Sequence, residues 1–270
     1  MRNKLTDELA VCGFNTVKAL GEIHPEKINR LFLREERLPL FTRVCKNLAE
    51  RKRPYKICEN EELERICKSP HHQGIVAMIY EPMIEPASPE DLDAWAAGGK
   101  TGLLLCDVGN DLNLGAITRA AAFFDASPIV LAGGGPEDEE EDGQPGGRRL
   151  STGAYRTAEG GMEHVEFRSV HSPSAFLRSA SRGLVTIGTD PRARLRIRDL
   201  PRLVADRGAA LSKTGGKPGV ILAVGNEETG LSREVKDQCS LLVRIPGIGA
   251  IESLNAAQAA ALFLQELYDR

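Results

Sequence analysis

Three segments of the sequence combine glycines with a few polar side chains, and each follows a short apolar run. They span residues 110–119, 225–232 and 245–255. In open α/β sheets, ligands bind beyond the carboxyl ends of the strands, where loops of this kind emerge. Glycines there allow tight turns or a close approach of the backbone, while the polar side chains stay at fixed positions. The three segments are therefore candidate parts of one polar site.

The segments hold several polar side chains, among them Asn113, Arg119, Glu227, Ser253 and Asn255. An arginine can clamp a phosphate with two hydrogen bonds and can stabilise a developing negative charge. The alternative is that some of the polar residues only cap helices, because Asn113, Ser232 and Ser253 each precede a predicted helix. Three caps need not share an order and a spacing, so the segments taken together favour a functional site.

Two other glycine-rich stretches lack the spacing of nucleotide-binding loops. Residues 133–135 follow a predicted strand but do not form Gly-x-Gly-x-x-Gly, and the acidic run at 137–142 would repel a pyrophosphate. Residues 213–217 precede a strand, whereas a P-loop follows one. Both stretches are predicted to be plain loops, and the acidic run a solvated one.

The elements that must position the three segments form an alternating pattern. Predicted strands cover residues 103–106, 128–131, 165–167, 184–188, 220–224 and 241–245, and predicted helices cover 115–124, 174–181, 233–238 and 256–268. Short, fully apolar strands are typical of a parallel sheet with helices on both faces. Alanines in the first and last of these helices would let another element approach closely, or they simply reflect helix propensity.

Residues 1–80 show a separate pattern. Helices are predicted over 6–20, 40–51 and 61–68, and strands over 28–33, 55–58 and 74–80. This alternation indicates a small α/β module. Residues 81–97 contain three prolines and no sustained period, which predicts an extended linker. The predicted organisation is a domain at 1–80, a linker at 81–97 and a larger α/β domain at 98–270.

Composition limits the class of protein. Hydrophobic residues make up 41% and charged residues 27% of 270, which is typical of a soluble globular chain. No apolar stretch approaches the roughly 20 residues that span a bilayer, and the chain opens on polar residues, so we expect a cytoplasmic protein without a membrane partner. The six cysteines and five histidines show no zinc-type spacing, so we expect reduced, mostly buried thiols and no metal site.

Charge is distributed unevenly. The net charge is −3, but residues 1–80 carry 15 Lys and Arg against 11 Asp and Glu, a net of +4. Residues 81–270 carry 20 against 27, a net of −7. The basic N-terminal part suits a nucleic-acid partner.

The three segments, in order, resemble the signature motifs of SpoU-type RNA 2′-O-methyltransferases of the SPOUT superfamily. They read Asn-x-Gly-x-x-x-Arg from Asn113, Gly-x-Glu-x-x-Gly from Gly225, and Ile-Pro-x-x-Gly-x-x-x-Ser-Leu-Asn from Ile245. Residues 149–154 resemble a small-residue segment between the first two motifs, and residues 1–80 resemble a ribosomal-protein-like RNA-binding domain. Two pairs depart from the family pattern: Asn110-Asp111 replaces Asp-Pro, and Ala256-Ala257 replaces Val-Ser. We expect both to affect substrate specificity more than activity.

The resemblance implies a parallel sheet with a deep trefoil knot, S-adenosylmethionine as cofactor, a homodimer, and methylation of a ribose 2′-hydroxyl in ribosomal or transfer RNA. It makes the five polar side chains named above the catalytic set. The implied cofactor-binding residues are Thr189, Gly225, Gly230, Ile245, Pro246 and Leu254. In the family the motif-one arginine is considered a general base, but guanidinium groups essentially never deprotonate in proteins. We therefore favour a positioning and electrostatic role for Arg119.

Two alternatives remain open on the sequence. One is an RNA-binding module with this fold but no turnover, and the other is a SPOUT enzyme that methylates a base in transfer RNA. The intact polar set favours an enzyme, because a site without chemistry has no physical need to keep Arg119 and Glu227 together. Arg119 also favours the ribose oxygen, since it would place a cation near the sugar-phosphate backbone.

Overall fold

The computed structural model describes residues 2–3, 8–108, 110–132, 150–211, 216–251 and 253–268. The chain divides into two compact units, which are described separately. The first unit comprises Met1–Met83, Leu114–Arg119 and Arg149–His164, and the second comprises Ile84–Asn113, Ala120–Arg148 and Val165–Arg270. The glycines at 133–135, the acidic run at 137–142 and most of the predicted loop at 213–217 lie outside the described residues. The division into functional domains at residues 80 and 98 stays a prediction.

The small N-terminal α/β domain is confirmed, and it provides the sheet of the first unit. Its elements are β1 (Arg2–Asn3), β2 (Glu8–Cys12), α1 (Phe14–Ile23), β3 (Ile28–Leu33), α2 (Leu38–Glu50), β4 (Tyr55–Ile57), α3 (Asn60–Cys67) and β5 (Ile75–Tyr80). The strand order is β1-β2-β5-β3-β4. β3 runs parallel to β4 and antiparallel to β5, so the sheet is mixed.

The helix predicted over residues 6–20 is wrong in its first half. Residues 8–12 form β2, which is buried on both faces and pairs with β5 along its whole length. Helix α1 begins only after Gly13, whose φ of 106° is a conformation that favours glycine. A short apolar run is compatible with a strand or a helix, and here the long-range pairing with β5 decides.

The second unit is built on a seven-stranded sheet. The remaining elements of the chain are α4 (Pro89–Ala97), β6 (Thr101–Cys106), α5 (Asp111–Phe123), β7 (Ile129–Ala132), α6 (Thr152–Ala158), β8 (Phe167–Val170), α7 (Pro173–Ala180), β9 (Val185–Thr189), β10 (Leu195–Arg196), α8 (Leu200–Leu211), β11 (Val220–Val224), α9 (Arg233–Lys236), β12 (Leu241–Arg244) and α10 (Ala256–Tyr268). Strands β6 to β12 are parallel, in the order β10-β12-β9-β11-β6-β7-β8. The predicted parallel sheet is confirmed, and the trefoil knot stays a prediction. Strand β10 and helices α4, α6 and α8 have no counterpart in the sequence prediction.

The strand order reverses in the middle of this sheet. The chain passes from β6 to β7 and β8 in one direction, and β9 then lies on the far side of β6, with β11 between them. Strand β12 similarly inserts between β9 and β10. The segments after β6, β11 and β12 therefore leave the sheet at its carboxyl edge, around the point where the order reverses. Ligands of open α/β sheets bind at such points.

The prediction of an extended linker over residues 81–97 is wrong for its second half, which forms α4. Ser88 and Asp91 make a capping box, in which Ser88 Oγ accepts from Asp91 N at 3.2 Å and Asp91 Oδ2 accepts from Ser88 N at 2.9 Å. Trp95 is buried in the core of the second unit. Pro89 misled the sequence prediction because proline is tolerated in the first turn of a helix, where no intrahelical donor is lost.

Asp91 also joins α4 to β8, and this pair gives a testable contribution to stability. Arg168 donates from Nε to Asp91 Oδ2 at 3.0 Å and from Nη2 to Oδ1 at 3.3 Å. This guanidinium, with the Ser88 N–H, holds the pKa of the Asp91 carboxyl below its ordinary value of 3.8. We expect Asp91→Asn to lower the free energy of unfolding by about 1–2 kcal/mol at neutral pH, because a bidentate ion pair is lost.

The sign of the pH dependence follows from the lowered pKa. A carboxyl whose pKa is lower in the folded state stabilises the fold above its ordinary pKa of 3.8 and loses that contribution as the pH falls through the folded pKa. Denaturant unfolding can be followed by Trp95, the one tryptophan of the chain. Asp93→Asn, exposed on the same helix, is the control. A difference between wild type and Asp91→Asn that stays constant from pH 7 to pH 3 would contradict the assignment.

All six cysteines are free thiols. Their predicted burial is confirmed for five of them, and Cys239 is half-buried. Among the described residues, no helix has the length and apolar character needed to cross a bilayer.

Candidate active site

A chain of side-chain hydrogen bonds connects the three candidate segments within the second unit. Asn255 Nδ2 donates to Asn113 Oδ1 at 2.9 Å, and Asn113 Nδ2 donates to Glu227 Oε1. Asn113 lies in the first turn of α5, Glu227 follows β11, and Asn255 precedes α10. Asn113 and Glu227 are half-buried and Asn255 is exposed. Asn113 thus meets two residues that lie 114 and 142 positions away in sequence, at the carboxyl edge of the sheet.

The capping alternative holds for one of its three candidates. Ser232 caps α9, with its Oγ accepting from Val235 N at 3.3 Å. Asn113 is not a cap, because α5 begins at Asp111 and is capped by Asn110, whose Oδ1 accepts from Leu112 N at 2.8 Å. The Asn110-Asp111 departure from the family pattern therefore gives this helix a side-chain cap.

Asn255, and not Ser253, occupies the capping position of α10. Its Oδ1 accepts from Ala257 N at 2.9 Å, while its Nδ2 reaches Asn113. The cap fixes the side chain at the helix start and so aims its amide at the first motif. Ser253 is exposed, and the structure does not bring it into the hydrogen-bond chain.

Asn226 shapes the second segment, and sequence reasoning missed it. Its Oδ1 accepts from Glu228 N at 2.8 Å and from Thr229 N at 3.2 Å, which forms a local turn. Its Nδ2 donates to the backbone oxygen of Asp107 at 2.9 Å. An asparagine between glycine and the site glutamate is a turn signal, but its partner after β6 is far away in sequence. Asn226 thus holds Glu227 in place from both sides.

The two glycines of this segment meet each other. A Cβ built on Gly225 would lie 2.3 Å from the carbonyl carbon of Gly230 and 2.5 Å from Leu231 N, so a side chain at Gly225 is excluded by backbone. Gly230 has a φ of 68°, which favours glycine. The motif spacing therefore has a structural reason independent of any ligand.

The other predicted cofactor-binding residues follow β9 and β12. Thr189 ends β9, is half-buried and lies level with Val243 of β12. Ile245 is half-buried and Pro246 is exposed after β12. The apolar side chains of Ile248, Ile251 and Leu254 are also exposed. The third segment thus presents an unusual amount of apolar surface beside the polar chain.

Arg119 belongs to the first unit, and its neighbours there are not members of the Asn255–Asn113–Glu227 chain. Its side chain is 62% exposed, and its Nη1 lies 3.9 Å from Glu159 Oε1. Asn15 Nδ2 donates to the other oxygen of the same carboxylate at 2.8 Å. Arg119 shares α5 with Asn113, but no hydrogen bond between described residues includes it in the Asn255–Asn113–Glu227 chain. Glu159 and Asn15 carried no motif that could have identified them.

Gly115 of the first motif has a packing role in the first unit. A Cβ at Gly115 would lie 2.6 Å from the backbone oxygen of Ala154 in α6. Ser151 caps α6, its Oγ accepting from Ala154 N at 3.1 Å, and Thr152 Oγ1 donates to the backbone oxygen of Ala10 at 2.7 Å. The small-residue segment therefore allows a close helix approach and binds to β2.

Comparison with protein families agrees with the resemblance. The model of the SpoU rRNA methylase family matches residues 100–265, which is more than half of the chain. The chain belongs to this family. A second model, described as RNA 2′-O ribose methyltransferase substrate binding, matches residues 10–84.

Relatives with curated names agree with the family. One from Mycobacterium sp. (strain KMS), named an uncharacterized tRNA/rRNA methyltransferase, is 30% identical over 210 residues, which cover 76% of this chain and 58% of the relative. The chain thus spans less than two thirds of that protein's length. Another uncharacterized tRNA/rRNA methyltransferase, from Escherichia coli O157:H7, is 26% identical and covers 98% of this chain and 69% of the relative.

Solved structures of the family share the fold. An AdoMet-bound rRNA methyltransferase from Sinorhizobium meliloti aligns with a TM-score of 0.69 at 22% identity, covering 97% of this chain and 87% of the other. A SpoU methyltransferase from Streptomyces viridochromogenes in complex with AdoMet aligns with a TM-score of 0.67 at 21% identity, covering 98% and 91%. The SpoU fold is therefore that of this chain.

Proposed function

We propose that the protein transfers a methyl group from S-adenosylmethionine to a ribose 2′-hydroxyl of ribosomal or transfer RNA. The observation that carries this proposal is the hydrogen-bond chain from Asn255 through Asn113 to Glu227. It joins all three motifs of the SpoU resemblance at the carboxyl edge of a parallel sheet. Membership in the SpoU rRNA methylase family supports RNA methyl transfer. The names of the tRNA/rRNA methyltransferase relatives support the class of substrate.

The residues present fit S-adenosylmethionine. The Gly225–Gly230 turn presents backbone at the reversal of strand order, and the exposed apolar side chains of the third segment suit the face of an adenine. We propose that Thr189, Gly225, Gly230, Ile245, Pro246 and Leu254 hold the cofactor. When bound, it supplies an electrophilic methyl group on a sulfonium.

The ribose 2′-hydroxyl is a poor nucleophile, so the residues of the protein must align it with the methyl group and stabilise the charge that develops on it. We propose that Arg119 clamps the RNA phosphate and steadies the negative charge that develops on the 2′-oxygen. Glu227 orients Asn113, and Asn113 and Asn255 fix the polar wall against which the ribose lies. Ser253 would complete that wall from the third segment. A guanidinium is an unsuitable proton acceptor, so Arg119 acts by position and charge.

The identity of the methylated atom tests the proposal. Purified protein is incubated with total RNA and labelled S-adenosylmethionine, and the RNA is digested to nucleosides and weighed by mass spectrometry. We expect the added mass of one methyl group on the ribose fragment. A methyl group on the base fragment would instead identify a base methyltransferase, and binding of RNA and cofactor without any transfer would identify an RNA-binding module.

The tight contact at Gly225 predicts a large effect on cofactor affinity. Gly225→Ala would push the Gly230 backbone away, because the new Cβ has no space, and we expect cofactor binding to weaken at least about tenfold. Gly216→Ala is the matched control, since it lies outside the three segments and no described residue lies within 4 Å of a Cβ at that position. Calorimetry with S-adenosylmethionine measures both variants. Equal affinities would remove the second segment from the cofactor site.

We also propose a homodimer formed through the second unit. Three large hydrophobic residues are exposed there: Phe123 ends α5, Tyr268 ends α10, and Leu262 lies in the middle of α10. Beside them lies an open groove of about 480 Å³ lined by Phe124, Leu254, Gln258, Ala261, Leu262 and Gln265. Sedimentation should show twice the 29.3 kDa chain mass, and Leu262→Lys should dissociate it. A wild-type protein that stays monomeric over a wide concentration range would contradict the dimer.

We propose that residues 1–80 supply RNA affinity. Their net charge is +4, and the substrate-binding family model covers residues 10–84. Loss of their basic side chains should weaken RNA binding and reduce its dependence on salt, because fewer counterions are released.

A further inference from the structure

The second unit carries an unexpected concentration of arginine. Six arginines fall within residues 192–207, where there are only two acidic residues, and all six are exposed: Arg192, Arg194, Arg196, Arg198, Arg202 and Arg207. Residues 81–270 as a whole are acidic, with 27 Asp and Glu against 20 Lys and Arg. The positive charge is therefore concentrated on one short stretch of an otherwise acidic region.

Four of these arginines lie at every second position of the chain, at residues 192, 194, 196 and 198. From residue 192 to 198, exposed arginines alternate with less exposed residues, of which Leu195 is half-buried and Ile197 is buried. Strand β10 covers only Leu195 and Arg196, whose side chains point to opposite faces of the sheet, and Arg198 lies in the 3-10 turn Ile197–Asp199 that follows. Arg192, Arg194, Arg196 and Arg198 are called the arginine strip below. Burial of Ile197 and partial burial of Leu195 leave the four arginines as the exposed residues of this stretch.

Strand register places the strip at the edge of the sheet where the site residues emerge. Leu195 of β10 pairs with Val243 of β12, and Val243 pairs with Thr189, the last residue of β9. The strip is therefore level with the carboxyl ends of β9 and β12. The third motif begins directly after β12, at Ile245. An extended polyanion bound at this edge could contact both the strip and the third segment.

The positive charge of the arginine strip is available to bind an anionic partner. Within the described part of the chain, none of its four guanidinium groups is in an ion pair. Asp190, which accepts from the backbone nitrogen of Arg192 at 2.9 Å, is paired with Lys236 at 3.2 Å. Arg196 is paired in register with Arg244, so two arginines extend from the same face of neighbouring strands. Arg244 Nε is buried and finds no hydrogen-bond partner among the described residues. Like charges this close repel, and an anion between them would relieve the repulsion.

We propose that the arginine strip is a second RNA-docking surface, which binds the phosphate backbone of the substrate beside the methyltransferase site. The inference rests on the proposed function in that the polyanion is taken to be the substrate RNA. Arginine suits phosphate because its planar fork makes two hydrogen bonds to one group. An acidic protein could also be attracted to positive charge. RNA is favoured because the strip is level with the strands that carry the site.

Salt-dependent RNA binding by the full-length protein tests the strip. The strip variant replaces Arg194, Arg196 and Arg198 with Gln, and the matched control replaces Arg178, Arg182 and Arg233, three exposed arginines of the same unit, with Gln. The probes are unfractionated transfer RNA and total ribosomal RNA. We expect the strip variant to bind at least about tenfold more weakly than the control at low salt. Its slope of log affinity against log salt should be smaller by about 2–3, since each phosphate contact contributes about 0.7–0.9.

Two further measurements separate this proposal from the proposed function. Calorimetry with S-adenosylmethionine should give the same affinity for wild type, strip variant and control, and a lysine version of the strip variant should keep most of the salt slope. If the strip variant and the control bind both RNAs equally, RNA docking is overturned, and an acidic protein becomes the occupant to test. Strip-dependent RNA binding with a base-methylated product would support the strip and overturn the ribose assignment.

Discussion

Arg119→Ala is expected to abolish methyl transfer while leaving cofactor affinity almost unchanged. Arg119 lies on α5, outside the two segments assigned to the cofactor, and its side chain is mostly exposed. Removing a preorganised charge from a reacting oxygen lowers kcat by about a hundredfold or more, roughly 3 kcal/mol of transition-state stabilisation. Single-turnover rates measure the loss, calorimetry measures the cofactor, and Arg182→Ala, another exposed arginine, is the control.

Arg119→Lys decides between two roles for the same residue. Lysine keeps the charge but loses the two-point clamp, so a positioning role predicts severe loss at every pH. A proton-accepting role predicts recovery as the pH rises, because lysine deprotonates far more easily than arginine. Wild-type turnover by Arg119→Ala would remove this residue from the active site. Most of the support for ribose methylation would be lost with it.

Much of the parallel sheet could be predicted because its strands carry their own signal. β6 and β11 are continuous apolar runs that are buried along nearly their whole length, and burial on both faces leaves little alternative to such a run. The same reasoning failed at β2, where the apolar run after Glu8 was taken for part of a helix. Its identity depends on pairing with β5, about seventy residues away. Local sequence carries no information on that partner.

The candidate site, like the sheet, could be predicted from the sequence only in part. Asn113, Glu227 and Asn255 were predicted to act together from motif order, and the structure connects them directly. Asn226 was missed because its important bond is to a backbone oxygen, and any residue at 107 would supply one. The catalytic role of Arg119 stays a prediction, and its neighbour Glu159 is held by Asn15 of α1. That grouping depends on the tertiary fold alone.

Asn113→Asp is expected to be as damaging as loss of Arg119, although it changes only an amide to a carboxylate of the same shape. The amide of Asn113 is used at both ends, since its oxygen accepts from Asn255 and its nitrogen donates to Glu227. A carboxylate can still accept, but it cannot donate, and it places two negative groups within hydrogen-bond distance. We expect methyl transfer to fall by about a hundredfold at neutral pH, because residues 113 and 227 repel each other and the polar wall is no longer held together.

The pH dependence of Asn113→Asp has a definite sign. Repulsion raises the pKa of one of the two carboxyls, so lowering the pH protonates it and restores a donor between them. Activity relative to wild type should therefore rise as the pH falls. The double variant N113D/E227Q should regain activity at neutral pH, because the glutamine amide donates to the new carboxylate with the direction of the bond reversed. Glu227→Gln alone is the control. It removes the charge at residue 227 and leaves the amide of Asn113 facing the amide of the new glutamine. If the double variant is no better than Asn113→Asp, the bond between these residues is not what orients the site, and the negative charge of Glu227 itself must be required.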